Sequence, residues 1–476
     1  MRSLSPRASP VRCERSRSNI ETQSPTARKN SIRRSTAKTV KRALAFTLLG
    51  ALAVAAGLVA WYWPLLQQIR TVALPESLTY RQVIDRLTGE VEDHYPYLEA
   101  KKLDWTAVKT QAQAGADTAA SDAEFSLSVA DLIAGLRDYH AMSTSDSLGL
   151  ASYGTGINLR TIGGRTYVAS VVAQAPMEAR VLVPGTEVLS IDGRPIAQVL
   201  TSLPERFIAV FSETTRIRRR DQHAFWGEKD SPAVVRCRAP EEPVQEVVVP
   251  RSVPFTTTGL GERVTLRMIG RIGYIHVPIL TNAGQRRDDT IEKQVEDALL
   301  QVRDADAIIL DIRGNPGGAS WTASSVASHF LTQTEKYGSF RCRNGVVWPC
   351  LQKARPDAFT GPLAILVDEG VGSASENALL FPLVTLRDPA RTWTIGRPSA
   401  GGSGIPNFRY SYRGIYAQFP GIPFVDRQGN LDLELTGIAP NYPVTITVED
   451  LLTGRDPDLA KALEALEAAL TSLEGK

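Results

Sequence analysis

Residues 366–383 read LVDEGVGSASENALLFPL: an apolar run, a Gly-rich turn and a second apolar run. Within the turn, Ser373 and Glu376 stand three apart. That spacing is the S-x-x-E capping box, which opens a helix by satisfying its first N–H groups. A serine at the mouth of a strand–turn–helix can equally be a nucleophile, because the helix start offers free amide donors and the positive end of its dipole. Spacing alone leaves both readings open. Ser375 is the neighbouring hydroxyl and reads as structural. Two more Gly-rich turns follow strand-like runs: RGNPGG (313–318) after DAIILDI, and GRPSAGGSG (396–404) after WTI. Open α/β sheets place ligands at such strand ends. No His/Cys/Asp cluster has metal-ligand spacing and no Gly motif has nucleotide-binding partners, so neither a metal nor a cofactor is expected.

The elements that would carry these turns come in blocks. From about 253, IGYIHVPIL, DAIILDIR, PLAILVDEG and RTWTIGRP read as strands separated by helical runs. Their continuous apolar character suits strands covered on both faces. The chain closes on GRDPDLAKALEALEAAL, where Asp456 caps, and Pro457 opens, an amphipathic helix over 451–476. Residues 67–150 read as helical, through ESLTYRQVIDRLTGEVEDHYPYLE and FSLSVADLIAGLRDYH, with AGADTAASDAE as a connecting loop. Residues 151–252 are β-rich. There PGTEVLSIDGRPIAQVL has the strand, Asp-Gly turn and helix start of a PDZ domain, and YGTGINL can be the loop before its peptide-accepting strand. A charged, helix-like insert at about 201–230 interrupts this block.

Charge is divided unevenly. Residues 1–42 hold 12 Lys/Arg against Glu14 and Glu21, a net +10, so −7 remains for the rest of a chain whose formal charge is +3. A mildly acidic body argues against nucleic acid as the main partner. The Ser/Arg-rich tail has little apolar periodicity and reads as disordered. Directly after it, residues 43–66 are uncharged and end on Trp61, Tyr62 and Trp63. Twenty-odd apolar residues span the roughly 30 Å hydrocarbon core. The reading is a single-pass anchor with a cytoplasmic N-terminus and a periplasmic or extracellular body, a cleaved signal peptide being the rival. Cys342 and Cys350 bracket CRNGVVWPC and either pair across a hairpin or stay free.

Taken together, LRDYHAMS, PGTEVLSIDGRP, IILDIRGNPGG, ILVDEGVGSASENAL and TGIAPNYPV resemble the C-terminal processing (tail-specific) serine peptidases in order and spacing over roughly 78–460. The resemblance implies a crotonase-like β-β-α protease core (253–450), a helical N-terminal domain and an inserted PDZ-like domain. It places the nucleophile on Ser373, with oxyanion donors at Ala374 and at Gly317 or Gly318. The commoner branch of that family uses a lysine from a G-K-G turn as base. Here that place is Gly402, and no lysine occurs between Lys353 and Lys461. The chain instead resembles the tricorn-core-like branch with Ser, His and Glu, which places His140 as base and Glu434 as its orienting acid. Imidazole titrates near neutrality and can serve as base and then acid. Other readings remain for these positions. His140 in D-x-H can be structural, Glu434 can be a solvent-facing acid on an alternating strand DLDLEL, and His329 is the runner-up base. His94, His223 and His276 read as structural.

The sequence thus predicts a membrane-anchored serine endopeptidase acting on proteins or peptides, which the PDZ-like domain would take by their C-termini. The alternatives are an inactive binding protein on the same fold and a PDZ-type scaffold.

Overall fold

The structure is a computed structural model that describes residues 47, 50, 71–145, 153–254, 262–342 and 345–474. The chain divides into two compact units, Met1–Gln68 and Ile69–Lys476. In the first, only Thr47 and Gly50 are described, both helical. The expected 43–66 anchor and the 1–42 tail otherwise lie outside the described residues. Among those described, no helix is long and apolar enough to cross a membrane.

The second unit is built on a six-stranded sheet in the order Thr265–Ile269, Ile272–His276, Ala307–Asp311, Leu363–Val367, Thr392–Gly396, Tyr442–Pro443. The first pair is antiparallel and the rest are parallel. Side chains alternate between its faces. Ile308, Leu310, Ile365 and Val367 pack with Ile291–Gln301 and Ser320–Ser328, whereas Ala307, Ile309, Ala364 and Leu366 pack under Ala462, Leu466 and Leu470 of Pro457–Glu474. Covering on both faces is the reason these strands are continuously apolar. The Leu459 N–H bonds to Asp456 Oδ1 at 3.0 Å, the cap expected at the start of the C-terminal helix.

Three helices, Tyr80–His94, Trp105–Thr118 and Asp122–Ala134, form the N-terminal layer. The expected loop over AGADTAASDAE is shorter than it reads. Gly115 lies inside its helix, at a close approach where a Cβ would meet Ser128 Oγ at 2.4 Å, and Ser121 caps the next helix. This layer packs on a four-stranded sheet ordered Thr71–Ala73, Phe408–Tyr412, Ile415–Phe419, Met142–Ser145. Chain segments far apart in sequence thereby become neighbours, with Gln418 opposite Met142.

Residues 157–250 form a separate antiparallel sheet in the order Ile157–Ile162, Arg165–Val171, Glu187–Ile191, Pro232–Arg238, Gln245–Pro250, with Arg194–Pro195 beside the third strand. The charged insert supplies the helix Glu213–His223, whose Asp221 accepts the Thr161 N–H at 2.7 Å on the edge strand. Cys237, Cys342 and Cys350 are free thiols. Cys350 sits opposite Gly338 in its hairpin, so it does not face Cys342.

Candidate active site

Strand Leu363–Val367 ends in Asp368, whose Oδ1 accepts the N–H groups of Gly314 (2.7 Å) and Gly370 (3.0 Å) and whose Oδ2 pairs with Arg218 at 2.5 Å. One buried carboxylate thus ties the first two Gly-rich turns together. Ser373 follows with φ +56°, a left-handed conformation that a non-glycine residue rarely adopts. A π-helical turn, Ser375–Leu380, runs on into Phe381–Leu386.

No side chain caps this helix. Ser373 Oγ lies 2.8 Å from His140 Nε2, across 233 positions of sequence. Glu376 accepts Ser399 Oγ (2.5 Å), Gly401 N–H (2.8 Å) and Gly402 N–H (2.7 Å). The capping box allowed by the spacing therefore does not form. Complete burial, against these hydrogen bonds, pushes the Glu376 carboxyl up to about 7. Ser375, fully buried, donates to Asn315 Oδ1 at 2.7 Å.

His140 leaves the N-terminal layer just before Met142–Ser145. Its main-chain N–H donates to Asp138 Oδ1 at 2.8 Å, and its carbonyl accepts Gln418 Nε2 at 3.1 Å. Burial lowers the imidazole, while Asp138 pulls it up and Lys101 and Arg219 push it down. A ring that accepts the Ser373 hydroxyl through Nε2 carries its proton on Nδ1. That nitrogen is buried and has no partner among the described residues.

Behind His140 lies a buried cation the sequence did not suggest. Lys101 Nζ, on a side chain with no exposure, contacts Asp138 Oδ2 (3.1 Å), Glu434 Oε1 (2.9 Å) and Tyr95 OH (2.9 Å). Glu434 Oε2 accepts the Ser403 N–H at 2.8 Å. Glu434 is 1% exposed and sits in a short helix, Asp432–Thr436, which corrects the alternating-strand reading of DLDLEL. A leucine on either side of the acid made a strand pattern that five helical residues overrule. Glu434 makes no hydrogen bond to the imidazole among the described residues; Lys101 and Asp138 stand between them. Burial and the nearby Asp138 raise the Glu434 carboxyl, whereas Lys101 and His140 hold Asp138 below the usual carboxylate range despite its burial. Lys101 lies in LEAKKLDW, where one of two adjacent lysines gives no sign of burial.

Gly317 (φ +100°) packs against Ser373: a Cβ there would meet Ser373 Cβ and Gly372 O at 2.7 Å and Ala374 N at 2.8 Å. Its own N–H is taken by Asn315 Oδ1 at 3.0 Å. The N–H groups of Gly318 and Ala374 donate to nothing among the described residues. The third turn explains the missing lysine in steric terms. A Cβ on Gly402 would meet the Tyr139 ring at 2.5 Å, so the residue preceding His140 fills the space a side chain would need. Arg219 of the 213–223 helix stacks on the same ring at 5.2 Å.

The remaining histidines lie apart from this group. His329 Nε2 is 3.4 Å from Arg355, and burial and that cation lower its imidazole. His94 and His223 turn Nδ1 to the carbonyls of Glu90 and Arg219. Among the described residues, no set of His, Cys, Asp or Glu could hold a metal.

Residues 271–444 match the family model of Peptidase family S41. That stretch is similar to the domain of this peptidase family. The S41 domain contains Ser373, Gly317, Gly318, Ala374 and Glu434, but His140 and Lys101 come from outside it. The chain is 23% identical over 243 residues to carboxy-terminal processing protease CtpB of Bacillus subtilis, covering 50% of this chain and 44% of that protein. It is also 23% identical over 352 residues to carboxyl-terminal-processing peptidase 3, chloroplastic, of Arabidopsis thaliana, covering 71% and 60%. The chain thus spans about half the length of the curated relatives it matches. Its fold is similar to the crystal structure of mature CPAF, with a TM-score of 0.67 at 16% identity over 84% of this chain and 98% of that one.

Proposed function

We propose that this protein is a serine endopeptidase that cleaves proteins or peptides through an acyl-enzyme on Ser373, with His140 as general base. The 2.8 Å approach of His140 Nε2 to Ser373 Oγ carries the reading. In the proposed reaction Ser373 Oγ attacks the scissile carbonyl and passes its proton to Nε2. The N–H groups of Gly318 and Ala374 receive the oxyanion, each such donor contributing roughly 3–4 kcal/mol in comparable sites. The imidazolium then protonates the leaving amine, and water, activated by the same nitrogen, releases the acyl group. Burial keeps His140 neutral near pH 7, as a base must be. Glu434 is engaged with Lys101 and Ser403, so its influence reaches the imidazole through Lys101 and Asp138.

The Ser/His/Glu assignment within the family belongs to this proposal, as do the crotonase-like description of the core, the PDZ-like role of the 157–250 sheet in taking substrate C-termini, and anchorage by residues 43–66. Treatment of the full chain with a serine-directed fluorophosphonate should modify Ser373, and Ser373→Ala should lose both the adduct and casein hydrolysis. A folded protein that hydrolyses casein with no adduct at Ser373 would sink the assignment. Peptide binding without hydrolysis would favour a binding protein instead. Alkaline carbonate extraction of membranes, with a chain lacking 43–66 as control, checks the anchor.

A further inference from the structure

Two acidic side chains, Asp138 and Glu434, and one ammonium, Lys101, lie together at 0% side-chain exposure directly behind the histidine. We propose that Lys101 is a positioning residue of the Ser373–His140 pair: it bridges Asp138 to Glu434, fixing the turn that presents His140 and setting the charge the imidazole faces. The inference rests on the peptidase reading above and deepens it.

The contacts form a continuous chain. Lys101 Nζ bonds to Asp138 Oδ2 (3.1 Å) and to the Arg137 carbonyl (3.1 Å), gripping the turn residue and the peptide before it. The other Asp138 oxygen accepts the main-chain N–H of His140 at 2.8 Å. On its far side Lys101 reaches Glu434 Oε1 (2.9 Å), whose second oxygen accepts Ser403 N–H in the third Gly-rich turn. One ammonium therefore joins the N-terminal layer, which supplies the base, to the S41 domain, which supplies the nucleophile. Lys101 lies in the turn between Tyr80–His94 and Trp105–Thr118, and that turn is held down by Tyr97 in the core of the layer and by Leu98 and Leu103 packed against it.

Lys101 faces Asp138, Glu434 and the hydroxyl of Tyr95, with the rings of Tyr95, Tyr97 and Phe211 between 5.2 and 5.7 Å away. His140 faces Asp138, Lys101, Arg219 and the Ser373 hydroxyl. Asp138 favours the imidazolium and Lys101 opposes it. A lysine that only filled space would leave the titration of His140 where it is. A lysine that sets its charge and posture would not.

The test is the pH profile of Ser373 modification by a fluorophosphonate in the full chain, with folding followed by near-UV circular dichroism. In Lys101→Met the rate should fall about tenfold to a hundredfold, the scale of a small misplacement of a catalytic group. The midpoint should also move to higher pH, since a cation that opposed imidazolium has gone. Asp138→Asn should move the midpoint the other way, to lower pH. If Lys101→Met does not fold, the double variant Lys101→Met/Glu434→Gln removes the buried charges as a pair and carries the same expectation. If neither lysine variant folds, the downward shift in Asp138→Asn decides alone, and its absence overturns the proposal. A folded lysine variant with wild-type rate and midpoint also overturns it. Failure of the wild-type chain to be modified at Ser373 would instead count against the peptidase reading, so the two failures are distinguishable.

Discussion

The turn at residues 399–403 is gripped by a buried glutamate on each side, and the two grips differ. Glu376, 0% exposed, is held by one hydroxyl and two main-chain N–H groups, and no cation touches it. Glu434, 1% exposed, is held by the main-chain N–H and hydroxyl of Ser403 and by the Lys101 ammonium. Both carboxyls are raised by burial. The first grip is local to the S41 domain and shapes a backbone turn. The second crosses from that domain to the N-terminal layer and tethers the segment that carries His140. The first acid meets only neutral donors, whereas the second meets an ammonium, so removing one member of that pair would leave the other uncompensated in a dry interior.

Removing the proposed base, His140, gives the largest expected change. His140→Ala should slow Ser373 modification on the order of a thousandfold or more, measured against a folded Ser373→Ala control. A loss under tenfold would mean that neither grip serves catalysis through this histidine. Next comes Glu376→Ala, which strands the Ser399 hydroxyl and the Gly401 and Gly402 N–H groups in a dry interior. At about 1–3 kcal/mol per stranded group, the loss should reach at least roughly 3 kcal/mol, read from the urea midpoint.

The pH dependence separates the grips further. The Glu376 carboxyl keeps its proton to about 7 in the folded chain, against an ordinary 4.5. The unfolded state releases its proton first as pH rises. Stability should therefore decline from about pH 4.5 to about 7, by no more than roughly 3 kcal/mol, and flatten above. Glu376→Gln should remove that slope whatever its absolute cost. Asp138 works in the opposite sense: held low by Lys101, it supports the fold above its ordinary range and loses that support on acidification. A wild-type urea midpoint that rises between pH 4.5 and 7 would contradict this division.

A smaller effect is expected from Gly402→Ala. The added methyl collides with the Tyr139 ring, costing about 1–3 kcal/mol, and should slow Ser373 modification by displacing the neighbouring His140. His329→Ala, which alters a ring beside Arg355, should leave the modification rate within about twofold.

Much of the fold is legible in the sequence. The three Gly-rich turns, the apolar strands before them and the amphipathic closing helix follow from local pattern, because turn chemistry and periodicity are properties of short segments. The pairing of His140 with Ser373 comes from the order of motifs, and the structure brings the two within hydrogen-bond reach. The helix ends around 115–122 escape a local reading because Gly115 serves a close approach to Ser128, where a Cβ would collide, and no short pattern reveals that neighbour. Glu434 resembles a strand residue for the same reason: its alternation is local, and its burial under Lys101 is not.

By itself the sequence determined the apolar strands before the three Gly-rich turns and the residue types at their ends, since backbone preference and hydrophobic period act over a few residues. Tertiary structure alone decided what the polar side chains do. Ser373 does not cap its helix, Glu376 supports the third turn, Gly402 is bare because Tyr139 lies on it, and Lys101 is a buried cation rather than a surface one. Each outcome depends on which distant group excludes water there, and exclusion of water is a property of the packed chain.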